Sequence, residues 1–152
     1  MKIFLAGIIQ GSLAEATIHD QDWRVPIKRI IARRLPEASV YCHYSHHPNS
    51  ITYELPLICQ TLAQGICEAA LSDLVVAYVP SASMGTAVEI YEAFRHGAVV
   101  LTITPLAANW VLRAYSDRIF ATVEQLDAFL ASGELADLIS QKRRTPASPG
   151  KP

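Results

Sequence analysis

Five short apolar runs alternate with helical patterns along the 152 residues, and the connections between them are short. That alternation predicts α/β architecture: a three-layer sandwich with a central parallel sheet of about five strands, joined by right-handed crossovers. The run "LVVAYV" supports it, because continuous apolar strands are the kind buried at the centre of parallel sheets. The expected strand order is 2-1-3-4-5, with the site where that order reverses.

"KIFLA", Lys2 to Ala6, is an apolar run ended by glycine and reads as the first strand. "GIIQGS" follows as a loop. "WRVPIKRIIARRL" places Val25, Ile27, Ile30, Ile31 and Leu35 near one helical face, with Pro26 in the first turn. "ASVYC" is the second strand and "HYSHHPNSIT" a polar loop. In "YELPLICQTLAQGICEAALS", Leu55, Ile58, Cys59, Leu62, Ile66 and Ala69 follow helical spacing, so Cys59 and Ile66 are expected in the core. "LVVAYV" is the third strand, and a helix from Thr86 to His96 is closed by Gly97. "AVVLTI" is the fourth strand, "NWVLRAY" a short helix, "RIFAT" the fifth strand and "VEQLDAFLASGELADLI" the closing helical region. The topology is flavodoxin-like, with one domain over 1–140 and a disordered tail over 141–152, where "QKRRTPASPGKP" has no apolar period.

Composition narrows the function. Hydrophobic residues make up 51% and charged residues 18%, the balance of a folded globular chain. A formal net charge of −1 gives no electrostatic case for a nucleic-acid polymer or a membrane as partner. The odd set Cys42, Cys59 and Cys67 makes no disulfide framework, and the apolar start stops too soon for a signal peptide, so a cytoplasmic setting is expected. "CHYSHH" and "HDQD" bring Cys42, His43, His46, His47, His19 and Asp20 to mind as metal ligands, but the usual spacings are absent. No metal and no cofactor are expected.

Open parallel sheets bind ligands beyond the carboxyl ends of their strands. The loops there are "GIIQGS" and "PSASMGT", with "TPLAAN" beside them. Gly7 and Gly11 permit close backbone approach, although the loop is neither a dinucleotide fingerprint nor a phosphate loop. In "SMGTAVE", Glu89 has two readings. Thr86 as N-cap with Glu89 three residues on satisfies the capping-box pattern. Alternatively Glu89 is a reactive carboxylate at the exit of a central strand, beside Ser83, Gly85 and Thr86, and kept ionised by the helix dipole.

"MKIFLAGIIQGS", "SDLVVAYVPSASMGTAVEIYEAFRHG" and "TPLAANWVLRAYSD" resemble the nucleoside 2-deoxyribosyltransferase family, which includes related 2'-deoxynucleoside 5'-monophosphate N-glycoside hydrolases. The resemblance runs over most of Met1 to Leu138 and is strongest from Asp73 to Gly97. It implies an enzyme in which Glu89 attacks C1' of the sugar, expels the nucleobase and holds the sugar as an ester, until a second base or water collects it. It implies a substrate site formed by Gly7, Ile9, Gln10, Gly11, Ser12, Ser83, Met84 and Gly85. Ser83 matches the serine that holds phosphate in the hydrolases. His43 or Tyr44 would reach over the base. Asn109 falls on the segment lent by a neighbouring subunit, so a homodimer or higher homo-oligomer with shared active sites is expected. The partners implied are a nucleoside or nucleotide and a free nucleobase.

Two departures stand out. The aspartate the family often carries in the helix before the third strand falls on about Gly65, which leaves no named acid to protonate the leaving base. Ile8 stands where the hydrolases have a serine. "GTAVE" is also similar to the GTxxE of cytokinin-type phosphoribohydrolases, but "SASM" lacks their paired glycines. The third alternative is a non-catalytic nucleotide-binding module in which Glu89 only caps its helix.

Overall fold

A computed structural model describes residues 1–11 and 13–144. Its elements run β1 (Lys2–Gly7), α1 (Arg24–Arg34), β2 (Ser39–Cys42), α2 (His43–His46), a 3₁₀ turn (Ser50–Thr52), α3 (Leu55–Ala70), β3 (Leu74–Tyr78), α4 (Met84–Arg95), β4 (Val99–Ile103), α5 (Trp110–Tyr115), β5 (Arg118–Phe120), α6 (Val123–Ser132) and α7 (Glu134–Arg144). The five strands form one sheet in the order β2-β1-β3-β4-β5, and every pair is parallel. This is the flavodoxin-like sandwich the alternation predicts.

The alternation of side chains along β1 shows how the layers are filled. Ile3 and Leu5 point to one face, where they join Ile27 and Ile31 of α1, Leu126 of α6 and Leu135 of α7. Phe4 and Ala6 point to the other, with Ala69 of α3, Ile90 of α4 and Leu112 of α5. β3 and β4 are buried nearly throughout, as central strands between two helical layers should be.

Several local expectations change. The last helix continues to Arg144, past the expected boundary at 140, and residues 145–152 lie outside the described residues. The closing region is two helices, because Gly133 adopts φ 85° between them. "HYSH" forms the short helix α2 rather than loop. Val25 is exposed, and Arg24 takes an inward position on α1 instead.

The largest difference is in α3. Leu55, Ile58, Leu62 and Cys59 are exposed, and Ile66 is only half-buried. The face that α3 turns inward consists of Thr61, Gly65 and Ala69, four residues apart. Small residues at this spacing let a helix approach its neighbour closely, and α3 packs extensively along α4. The apolar stripe read as core therefore lies on the outer side. Trp110 is 86% exposed.

Candidate active site

β1 and β3 are adjacent and run in the same direction, so their exit loops meet at the carboxyl edge of the sheet. There they enclose a crevice of about 230 Å³. Gly7, Ile9, Gln10 and Gly11 line one side, Ser83 to Thr86 and Glu89 the other, and His43 and Leu62 close it from α2 and α3. Of the residues implied for the substrate site, Ser12 lies outside the described residues. Asn109 is the one that does not reach this crevice. It caps α5, its Oδ1 accepting from the N–H of Val111 and Leu112 at 3.0 and 3.3 Å. It borders a second, apolar hollow of about 210 Å³ behind the start of α4, which also takes in Ser83 and Met84.

The helix after β3 begins at Met84, two residues earlier than expected. Ser83 is its N-cap, and the Ser83 hydroxyl accepts from Thr86 N–H at 3.4 Å and pairs with the Thr86 hydroxyl at 2.9 Å. Thr86 is thus in the first turn, not at the cap, and Glu89 sits in the second turn. A carboxylate there is beyond the N-terminal donors, so the capping-box role does not apply to Glu89. Met84, 82% exposed, and Gly85, beside which an added Cβ would meet nothing within 4 Å, leave the first turn open.

Glu89 is 8% exposed and lines the crevice. Burial pushes its carboxyl up to about 8, an effect the charge of Arg24 partly offsets. The expectation of a dipole-ionised carboxylate is therefore reversed: loss of water outweighs the helix dipole. Arg24 is itself buried. Its guanidinium lies 4.0 Å from the Trp23 ring and 5.0 Å from that of Tyr44, and it donates to Gln21 Oε1. Gln21 also donates to the carbonyls of Ile8 and His19, which ties the glycine loop to the start of α1. Burial opposes ionisation of the nearby Cys42 thiol, but hydrogen bonds from Ser45 and the charge of Arg24 outweigh it, and its pKa is lowered.

The glycines of the crevice have different reasons to be glycine. At Gly7 a Cβ would fall 2.3 Å from Trp23 Cη2 and 2.9 Å from the Tyr78 carbonyl oxygen. Close packing of the protein on itself explains Gly7, where ligand approach was the expectation. Trp23 stacks in turn on Tyr78 at 4.7 Å. At Gly65 a Cβ would fall 2.9 Å from His43 Nδ1. Asp73 lies at the opposite edge of the sheet, where its carboxylate accepts from Lys2 N–H at 2.7 Å. Among the described residues, no three His, Cys, Asp or Glu side chains converge in a group that could hold a metal ion.

No family model and no curated protein sequence matches the chain. Solved structures do. A conserved protein from Enterococcus faecalis V583 superposes with a TM-score of 0.60, at 17% identity, over 87% of this chain and 98% of that one. A 2-deoxyribosyltransferase from the psychrotolerant bacterium Bacillus psychrosaccharolyticus superposes with a TM-score of 0.62, at 13% identity, over 86% and 96%. The chain has the fold of this 2-deoxyribosyltransferase. The fold accounts for the place of the crevice, since the sheet order reverses between β1 and β3 at that edge. Sequence reasoning missed Arg24 and Leu62. Leu62 belongs to the expected core stripe of α3, and "WRVP" shows no sign in sequence that its arginine turns inward.

Proposed function

We propose that this protein cleaves the N-glycosidic bond of 2'-deoxyribonucleosides and passes the deoxyribosyl group, held as an ester on Glu89, to another nucleobase or to water. The observation that carries this reading is a carboxylate nearly stripped of water, at the mouth of the switch-point crevice, within the field of the buried Arg24. The deoxyribosyltransferase of the same fold supports the choice of substrate class. In the first half-reaction a Glu89 oxygen attacks C1' from the face opposite the base, and the C1'–N bond breaks with its electron pair going to the base. In the second, a base nitrogen or water attacks C1' and releases the carboxylate. Two displacements retain the configuration at C1'. Arg24 balances the charge each time the carboxylate is freed.

A second reading, hydrolysis of a 5'-monophosphate, draws on the bare first turn of α4, where Ser83, Met84 and Gly85 face the crevice. Such an enzyme would work as a homodimer that presents Asn109 to the partner's crevice, in a cytoplasmic setting. No described helix is long and apolar enough to cross a membrane.

The test is product analysis of deoxynucleosides and their 5'-monophosphates, with and without a free second base. Wild-type protein should release base, and Glu89→Gln and Glu89→Ala should lower turnover by orders of magnitude while remaining folded. Near-full activity in either variant, or no base released by the wild type from any substrate offered, would leave a nucleotide-binding module as the better description.

A further inference from the structure

Glu89 does not meet the crevice alone. His43 follows the carboxyl end of β2 and opens α2, and its Nδ1 is buried without a hydrogen-bond partner. The space that receives it is the missing side chain of Gly65. A Cβ at that position, in the middle of the sixteen-residue α3, would lie 2.9 Å from His43 Nδ1 and 3.4 Å from Glu89 Oε1. A glycine inside a helix sacrifices helix stability. What it provides here is one small space bordered by an imidazole nitrogen and a carboxylate oxygen.

The surroundings leave the pair to itself. His47 lies beside His43 with ring centroids 5.0 Å apart, and its own Nδ1 pairs with the Tyr53 hydroxyl at 3.3 Å. His46 turns away to stack on Tyr41 at 4.5 Å, with its Nδ1 on the Cys42 carbonyl at 2.9 Å. Arg24, Cys42 and Tyr44 are the remaining charged or titratable groups of this cluster, with Glu68 farther off toward Tyr41. Burial, with His47, His46 and Arg24 adding to it, lowers the His43 pKa to about 4, so the ring is neutral, and in the tautomer with its hydrogen on Nε2 the unpartnered Nδ1 is a free acceptor. Glu89, raised to about 8, carries the proton.

We propose that His43 is the proton carrier of the glycosyl step, taking the Glu89 proton at Nδ1 and giving a proton from Nε2 to the departing nucleobase. The inference rests on the glycosidic reading above. The balance closes. Transfer of the carboxyl proton to Nδ1 leaves Glu89 ionised and His43 as imidazolium. The carboxylate attacks C1', the C1'–N bond breaks, and the electron pair on the base takes the Nε2 proton. The products are an ester, a neutral base and a neutral imidazole in its other tautomer. The ring lines the crevice, so its far nitrogen is available to the base. His43 thus supplies the acid that an aspartate near position 65 does not.

The experiment compares wild type, His43→Ala and His43→Gln on two deoxynucleosides. One carries an ordinary purine; the other carries an N7-methylated purine, which already bears a positive charge and departs without a proton. On the ordinary purine both variants should lose about 10²–10⁴-fold in turnover, the usual share of acid–base catalysis. On the methylated purine, assayed at about pH 9 where Glu89 has already lost its proton without help from His43, the loss should be at least about ten-fold smaller, and an unchanged melting temperature shows that the variants fold. Equal losses on both substrates, or no loss on either, would overturn the proton role while leaving the Glu89 ester in place. A wild type that cleaves neither substrate would overturn the glycosidic reading and the proton role together.

Discussion

At the residue scale, Glu89 and His43 place opposite demands on pH. Glu89 has a folded-state pKa of about 8 against an ordinary 4.5, so the fold favours its neutral form. Its contribution to stability is whole below about pH 4.5 and is lost as pH rises to about 8. His43, lowered from 6.5 to about 4, contributes above pH 6.5 and loses that contribution as pH falls to about 4. Glu89→Gln keeps the shape of the neutral acid and cannot ionise. Its melting temperature should match wild type near pH 4 and exceed it near pH 9, by an amount worth roughly a few kcal/mol. Thermal unfolding across that range checks it, and a wild-type advantage at pH 9 would contradict the burial of the carboxyl. Glu89 is legible in "SMGTAVE" because a small-residue loop after a central strand names its own place in this topology. Arg24 is not. A charged residue at the start of a helix reads as surface, and only Trp23 and Tyr44, brought together by folding, make its buried position tenable.

At the scale of elements, the helical spacing points the right way in α1, where Ile27, Ile30 and Ile31 are buried, and the wrong way in α3. Leu55, Ile58 and Leu62 do lie along one side of α3, as their spacing requires. Periodicity marks a stripe but not what covers it. Thr61, Gly65 and Ala69, which read as filler, form the inward face because α3 must lie close to α4 and leave room for His43. Val88 and Tyr91 of α4 and Trp110 and Val111 of α5 are also exposed, so three neighbouring helices present apolar side chains outward. A second copy of the chain is the occupant this surface is expected to have. Light scattering at micromolar concentration should report a dimer or a multiple of it, and Ile58→Glu should shift it toward monomer without altering the folded signal. A monomeric wild type would remove the case for a shared site and for Asn109 as part of it.

At the scale of the whole molecule, the fold was the most legible feature, since strand–helix alternation with short connections leaves few topologies. The place of the crevice followed from it, and its chemistry did not, because that rests on contacts between α2, α3 and α4 that no local pattern encodes. One consequence lies in where the carboxylate is mounted. Glu89 stands in the second turn of α4, next to Ile90, which is wholly buried, and on a backbone packed against the sheet. A carboxylate mounted this way has a fixed backbone to swing from. On the proposed glycosyl transfer, every base, departing or arriving, would use the same berth above the same point, and the chemistry would have no sense of forward and back. Incubated with an unlabelled deoxynucleoside and its own base in isotopically labelled form, the protein should scramble label into the nucleoside with no net reaction. Label that stays in the free base while nucleoside is consumed would mean that water, not a base, is the acceptor this berth was shaped for.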